Sequence, residues 1–206
     1  MVIGIDLNNV LRAFNEQVKT YYEKCFNVEV DLEGTNIEDV DIDKTFVFKD
    51  RLERNRFYYE DYPFELFGCG TTMSCFLLPK LNEWIKILEE KGHKVYITSL
   101  DEEILSIPST LFFISKIGLK CRHVIMPKKL KELNDKIDVL VTANYNALRR
   151  GSNHFAIVGV KRGYNEKVID KADIVINNLE ELFEMNVRDL KKKNKSWFNF
   201  KFSLNF

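Results

Sequence analysis

Asp6 closes a short apolar run, Val2-Ile3-Gly4-Ile5, at the very start of the sequence. Such a run reads as a buried strand, and the C-terminal ends of strands are where open α/β sheets bind their ligands. A carboxylate held there can attack an electrophile such as phosphorus. The product is a covalent acyl-phosphate, which splits one difficult step into two easier ones. That attack would need a divalent cation to neutralise the incoming phosphate and a proton donor for the leaving group.

The elements that would position Asp6 alternate between strand and helix, the rhythm of a parallel sheet covered on both faces. After the first strand, Leu11, Phe14, Val18, Tyr21, Tyr22 and Cys25 recur at helical spacing. From about residue 31 to 76 the rhythm breaks. This stretch is acidic at first and then aromatic and basic, through Phe46, Phe48, Arg51, Arg54, Phe57, Tyr58, Tyr59 and Phe67. It is too aromatic for a disordered linker and reads as an inserted, mostly helical cap. Alternation resumes with a helix whose first turn holds Pro79, whose stripe is Leu81, Trp84, Ile85 and Leu88, and which Gly92 stops. Strands are expected at Lys94–Thr98, His123–Met126, Asp138–Val141, Phe155–Val160 and Asp173–Ile176, with helices near Leu111–Ile117 and Leu179–Met185. The expected fold is a Rossmann-like three-layer α/β domain. Its core takes residues 1–30 and 77–190, and 31–76 form the cap.

These residues resemble the haloacid dehalogenase superfamily, whose first motif is an apolar strand followed by Asp-x-Asp. The closest likeness is to its 5'(3')-deoxyribonucleotidase branch, with Gly163-Tyr164-Asn165 and residues 173–185 resembling the C-terminal part of that branch. The resemblance implies that Asp6 is the nucleophile and that Asn8 stands at the acid/base position, where an amide cannot give up and retake a proton. It implies that Mg²⁺ would be held by Asp6 and the Asn8 backbone carbonyl. In Val95-Tyr96-Ile97-Thr98-Ser99, Ser99 matches the phosphate-contacting hydroxyl, though it also reads as a helix cap before Asp101 and Glu102. The family's lysine falls on Lys128, Lys129 or Lys131, with spacing favouring Lys131. The family's last acidic motif falls on Thr142-Ala143-Asn144, a poor set of ligands for a hard cation. Asp138 begins its strand and belongs at the opposite end of the sheet.

The remaining features bear on partners. The 31 basic and 31 acidic residues cancel, so no global charge favours nucleic acid or an anionic membrane. No apolar run approaches the ~18 residues of a membrane span. Cys25, Cys69, Cys75 and Cys121 lack metal-ligand spacing and read as free thiols of a cytoplasmic protein, or of an assembly formed in the cytoplasm. Beyond a basic hinge at Lys191–Lys195, Phe198, Phe200, Phe202, Leu204 and Phe206 alternate with polar residues, as in a strand with one apolar face. That strand would dock on its own sheet or on another protein. The expectation is a phosphatase-like protein with an incomplete catalytic set, acting through protein contacts at this strand or at the aromatic cap. The alternative is a Mg²⁺-dependent phosphatase or 5'-nucleotidase for small phosphate esters.

Overall fold

Strand-forming runs rich in Val and Ile pair side by side in the computed structural model, which describes residues 1–32, 45–72, 77–100, 103–152 and 154–190. The alternating C-terminal segment, Cys75, Asp101 and Glu102 lie outside the described residues. The strands are β1 (Val2–Asp6), β2 (Lys94–Thr98), β3 (His123–Ile125), β4 (Val139–Thr142), β5 (Ala156–Val160) and β6 (Ile174–Ile176). They form one sheet in the order β3-β2-β1-β4-β5-β6, and every pairing is parallel. This is the three-layer Rossmann-like α/β architecture, and its order reverses between β1 and β4.

Both faces of the sheet are buried, and successive residues divide between them. Ile3, Ile5, Val139 and Val141 pack on one face with Leu81, Trp84, Ile85 and Leu88 of the helix α3 (Leu78–Glu90). Leu140 and Ile157 pack on the other face with Leu148 and Ile169. α3 ends in a Schellman arrangement. Gly92 takes a φ of 78°, Gly92 N donates to Glu89 O at 3.0 Å, and His93 N donates to Leu88 O at 2.9 Å.

Two helices in this layer pair lacked a clear periodic signal in the sequence: α5 (Tyr145–Arg150) and α6 (Glu166–Ile169). They are six and four residues long, too short to show a helical stripe. The helix expected near Leu111–Ile117 begins earlier, as α4 (Ile107–Lys116), with Pro108 in its first turn. The last helix, α7, spans Leu179–Glu184. Its Phe183 ring lies 5.6 Å from that of Trp84.

The helix after β1, α1 (Phe14–Phe26), begins beyond Leu11, which sits in the sheet cluster instead. α1 buries Val18 and Tyr22 against Phe46, Phe57, Tyr58, Leu66 and Phe67. Its packing partners are therefore the aromatic residues of the insertion. The described part of the insertion is helical: α2 (Arg51–Arg56) and two π-helical turns, Phe57–Asp61 and Phe64–Gly68. Tyr22 lies within 5.3 Å, centroid to centroid, of both Phe46 and Phe48, so an aromatic cluster supplies this unit's core.

Candidate functional site

The chain leaves β1 through a tight turn that sets the site's geometry. Arg12 N donates back to Leu7 O at 2.8 Å, and Asn9 N donates to Arg12 O at 2.7 Å. Asn9 takes a φ of 60°, a conformation that Asn tolerates better than most residues. Its side chain exchanges two hydrogen bonds with Asn15, at 2.8 and 2.9 Å. The turn therefore carries Asn8 and Arg12 back over the end of β1.

Asp6 is fully buried at that end, between β2 and β4. Its Oδ2 accepts the Thr142 hydroxyl at 2.7 Å, and its Oδ1 accepts the Leu100 backbone N–H at 3.4 Å. Ser99 is also fully buried, with its backbone N–H on Ile125 O at 3.1 Å. The next described helix, α4, starts at Ile107 after Ser106, so Ser99 is not its cap. Asp6, Ser99 and Thr142 thus share the C-terminal edge of three adjacent strands. Asp138 lies at the opposite edge, where its carboxylate accepts the Val2 N–H at 2.6 Å.

Asn8 has both ends of its amide engaged. Its Nδ2 donates to Leu100 O at 3.3 Å. Its Oδ1 accepts from Arg12 twice, from Nε at 3.0 Å and from Nη2. Arg12 is fully buried, an uncommon place for a guanidinium. Nη1 donates to the Thr110 hydroxyl of α4 at 3.0 Å and to Phe67 O of the second π-helical turn. The guanidinium carbon also lies 5.2 Å from the ring centre of Phe67 and 5.4 Å from that of Phe113, within cation–π range. One side chain therefore joins the β1 turn, the insertion and α4. Nothing in the sequence marked Arg12, because a single arginine beside a polar turn reads as solvated charge.

Beyond β4, Thr142-Ala143-Asn144 do structural work. Asn144 N donates to the Thr142 hydroxyl at 3.0 Å, and Asn144 Oδ1 caps α5 on the Ala147 N–H at 2.9 Å. Ala143 O accepts from the Tyr164 hydroxyl and from Asn165 Nδ2, each at 3.2 Å. Burial pushes the Tyr164 phenol well above its ordinary range. The nearby Arg162 cation opposes the shift, the Asp6 charge adds to it, and a hydrogen bond with Asn9 opposes it. Arg162 Nε donates to Asn9 O at 3.1 Å.

Lys131 is exposed on the 3₁₀ turn Leu130–Leu133. Lys128 and Lys129, also exposed, line a small cleft with Leu100 and Arg150.

Mg²⁺ asks for a nearly octahedral set of oxygen ligands, usually with one or two carboxylates. At this edge, Asp6 accepts from Leu100 and Thr142, and the Asn8 side-chain oxygen is taken by a cation. Among the described residues no group of three or more His, Cys, Asp or Glu side chains could hold a metal.

Neither a family model nor a curated protein matches the sequence. Two solved structures align with most of the chain. D,D-heptose 1,7-bisphosphate phosphatase from Burkholderia thailandensis is 11% identical with a TM-score of 0.47, over 88% of this chain and 95% of that one. A haloacid dehalogenase-like hydrolase from Burkholderia xenovorans LB400 is 14% identical, also with a TM-score of 0.47, over 91% of this chain and 96% of that one. No helix among the described residues is long and apolar enough to cross a membrane.

Proposed function

We propose that this chain is a haloacid-dehalogenase-like protein whose crevice serves binding and structure in place of phosphoryl transfer. The observation that carries this reading is the pairing of Asn8 with the buried guanidinium of Arg12. At the position where the resemblance calls for a proton donor, the side chain is an amide with both ends engaged. A fixed cation there also disfavours a dication close by. Losing a general acid alone costs on the order of 10²–10⁴-fold in rate.

Binding is supported by the surface where the insertion meets α4. Phe64 and Phe112 are both exposed, with their rings tilted against each other at 5.2 Å, and Ile104 and Leu105 are exposed on the approach to α4. The alternating C-terminal segment is a second proposed protein contact. One observation favours the alternative of a Mg²⁺-dependent phosphomonoesterase: Asp6 stands at the carboxyl end of the first strand, beside the reversal of strand order.

Steady-state hydrolysis separates the two. The full chain should show no magnesium-dependent turnover of p-nitrophenyl phosphate or deoxynucleoside monophosphates above that of Asp6→Asn. Turnover near ~10 s⁻¹, an ordinary enzyme rate, lost in Asp6→Asn, would replace the binding reading with the enzymatic one.

A further inference from the structure

We infer that the exposed face of α4 pairs antiparallel, across a two-fold axis, with the same face of a second copy of this chain. This names a partner for the proposed binding role and rests on that reading.

A helix on the surface of a globular protein ordinarily turns charge to water. α3 does so with Lys80, Glu83, Lys86 and Glu90, all exposed. α4 does not. Its ten residues, Ile107–Lys116, carry one charge, Lys116 in the last turn. Its buried side is Ser109, Thr110, Phe113 and Ile114. The opposite side repeats Pro108, Leu111, Phe112 and Ser115 at helical steps, and all four are exposed. Ile104 and Leu105 extend this row into the preceding turn, 71% and 58% exposed, against 46% for Leu111 and 47% for Phe112. Phe64 of the insertion, its ring 5.2 Å from that of Phe112, widens the row on one side. A contiguous apolar surface of this kind marks a contact with another molecule.

Charge at the two ends of the row selects a second copy as the occupant. Glu103 precedes the row and Lys116 closes it, and both are exposed. Neither forms an ion pair among the described residues. Lys116 Nζ donates to Cys69 O at 3.4 Å. Antiparallel pairing of two identical rows puts Glu103 of each copy beside Lys116 of the other and sets Pro108 opposite Leu111, so one interface makes the same ion pair twice. Parallel pairing would instead oppose like charges. With 31 basic and 31 acidic residues, no net charge keeps two copies apart. An anionic membrane is a poorer occupant, because α4 offers it a single lysine and a carboxylate opens the row.

The test is sedimentation velocity of the full chain over a wide range of concentration, beside Leu111→Lys, Glu103→Lys, Lys116→Glu and the double reversal Glu103→Lys/Lys116→Glu. All three side chains are exposed, so the variants should fold normally, and their melting curves check that they do. The expected result is a concentration-dependent dimer whose dissociation constant rises roughly tenfold or more in Leu111→Lys, which buries a charge in the contact. Either single reversal should raise it roughly threefold, as for exposed ion pairs made twice. The double reversal should return it to that of the unaltered chain, because only a second copy reverses its own charges in step. A chain that stays monomeric at every concentration overturns the inference, whether or not it binds lipid vesicles or another protein. So does a dimer that Leu111→Lys leaves intact, one indifferent to both single reversals, or one that the double reversal fails to restore. Magnesium-dependent hydrolysis through Asp6 would instead overturn the functional reading and leave the dimer as it is, whereas a monomer without turnover would overturn the dimer alone.

Discussion

Asn8 and Arg12 can be tested one atom group at a time. Asn8→Ala would strip the guanidinium of an acceptor that takes two of its N–H groups and would leave Leu100 O without its donor. Hydrogen bonds to a buried charge contribute about 1.5–3 kcal/mol each. The variant should therefore lose roughly 2–4 kcal/mol of unfolding free energy, measured as a lower urea midpoint at unchanged slope. A loss below about 0.5 kcal/mol would show that the pairing matters little in solution. Tyr164 supplies a test by pH. Its phenol titrates above its ordinary value because burial disfavours the charged form. The stability it contributes is fully present below the unfolded value of about 10 and is lost as pH rises above it. Absorbance titration should show Tyr164 ionising among the last phenols, together with the buried Tyr22, and Tyr164→Phe should remove part of that late step. The places of Asp6 and Thr142 at strand ends could be read in the sequence because strand ends are recognisable from apolar runs. Arg12 and Asn9 could not, because their partners come from turns and from residues far along the chain.

Between elements, Arg12 fastens the insertion to the rest of the protein. Its bonds to Phe67 O and Thr110 cross from the second π-helical turn to α4. Ala13 N also donates to Thr71 O at 2.9 Å, and Gln17 Nε2 donates to Glu65 O at 3.1 Å. Arg12→Met keeps much of the volume and removes the donors. Hydrogen exchange at Ala13 and across Leu66–Gly70 should accelerate at least tenfold, the equivalent of ~1.4 kcal/mol of local opening, while β1 and β4 remain protected. Equal acceleration in the strands would mean that Arg12 supports global stability and not this joint. Close packing in the sheet is equally specific. A Cβ at Gly159 of β5 would come within 2.7 Å of Ile169 Cδ1 and 2.9 Å of Ala172 Cβ. Gly159→Ala should therefore destabilise by about 1–3 kcal/mol, the usual cost of overpacking. The strands and α3 were legible because their apolar patterns are long enough to show a period. α5 and α6 fall below that length, and the start of α1 shifted because Leu11 belongs to the turn and faces the sheet.

At the scale of the whole molecule, a buried parallel sheet brings Asp6, Ser99 and Thr142 to one edge, and Arg12 ties the turn beside it to the second π-helical turn. Asp6, Ser99 and Thr142 have no exposed surface, and Asn8 has 7%. The central claim, that this edge does not transfer phosphoryl groups, is tested most directly by looking for the covalent intermediate itself. The full chain would be incubated with Mg²⁺ and a reactive phosphoryl donor such as acetyl phosphate, quenched in acid, and mapped by peptide mass spectrometry. The account predicts no phosphoryl adduct on Asp6, at any level above that in chain unfolded before the incubation. An acyl-phosphate on Asp6 that depends on Mg²⁺ and forms only in the folded chain would contradict it.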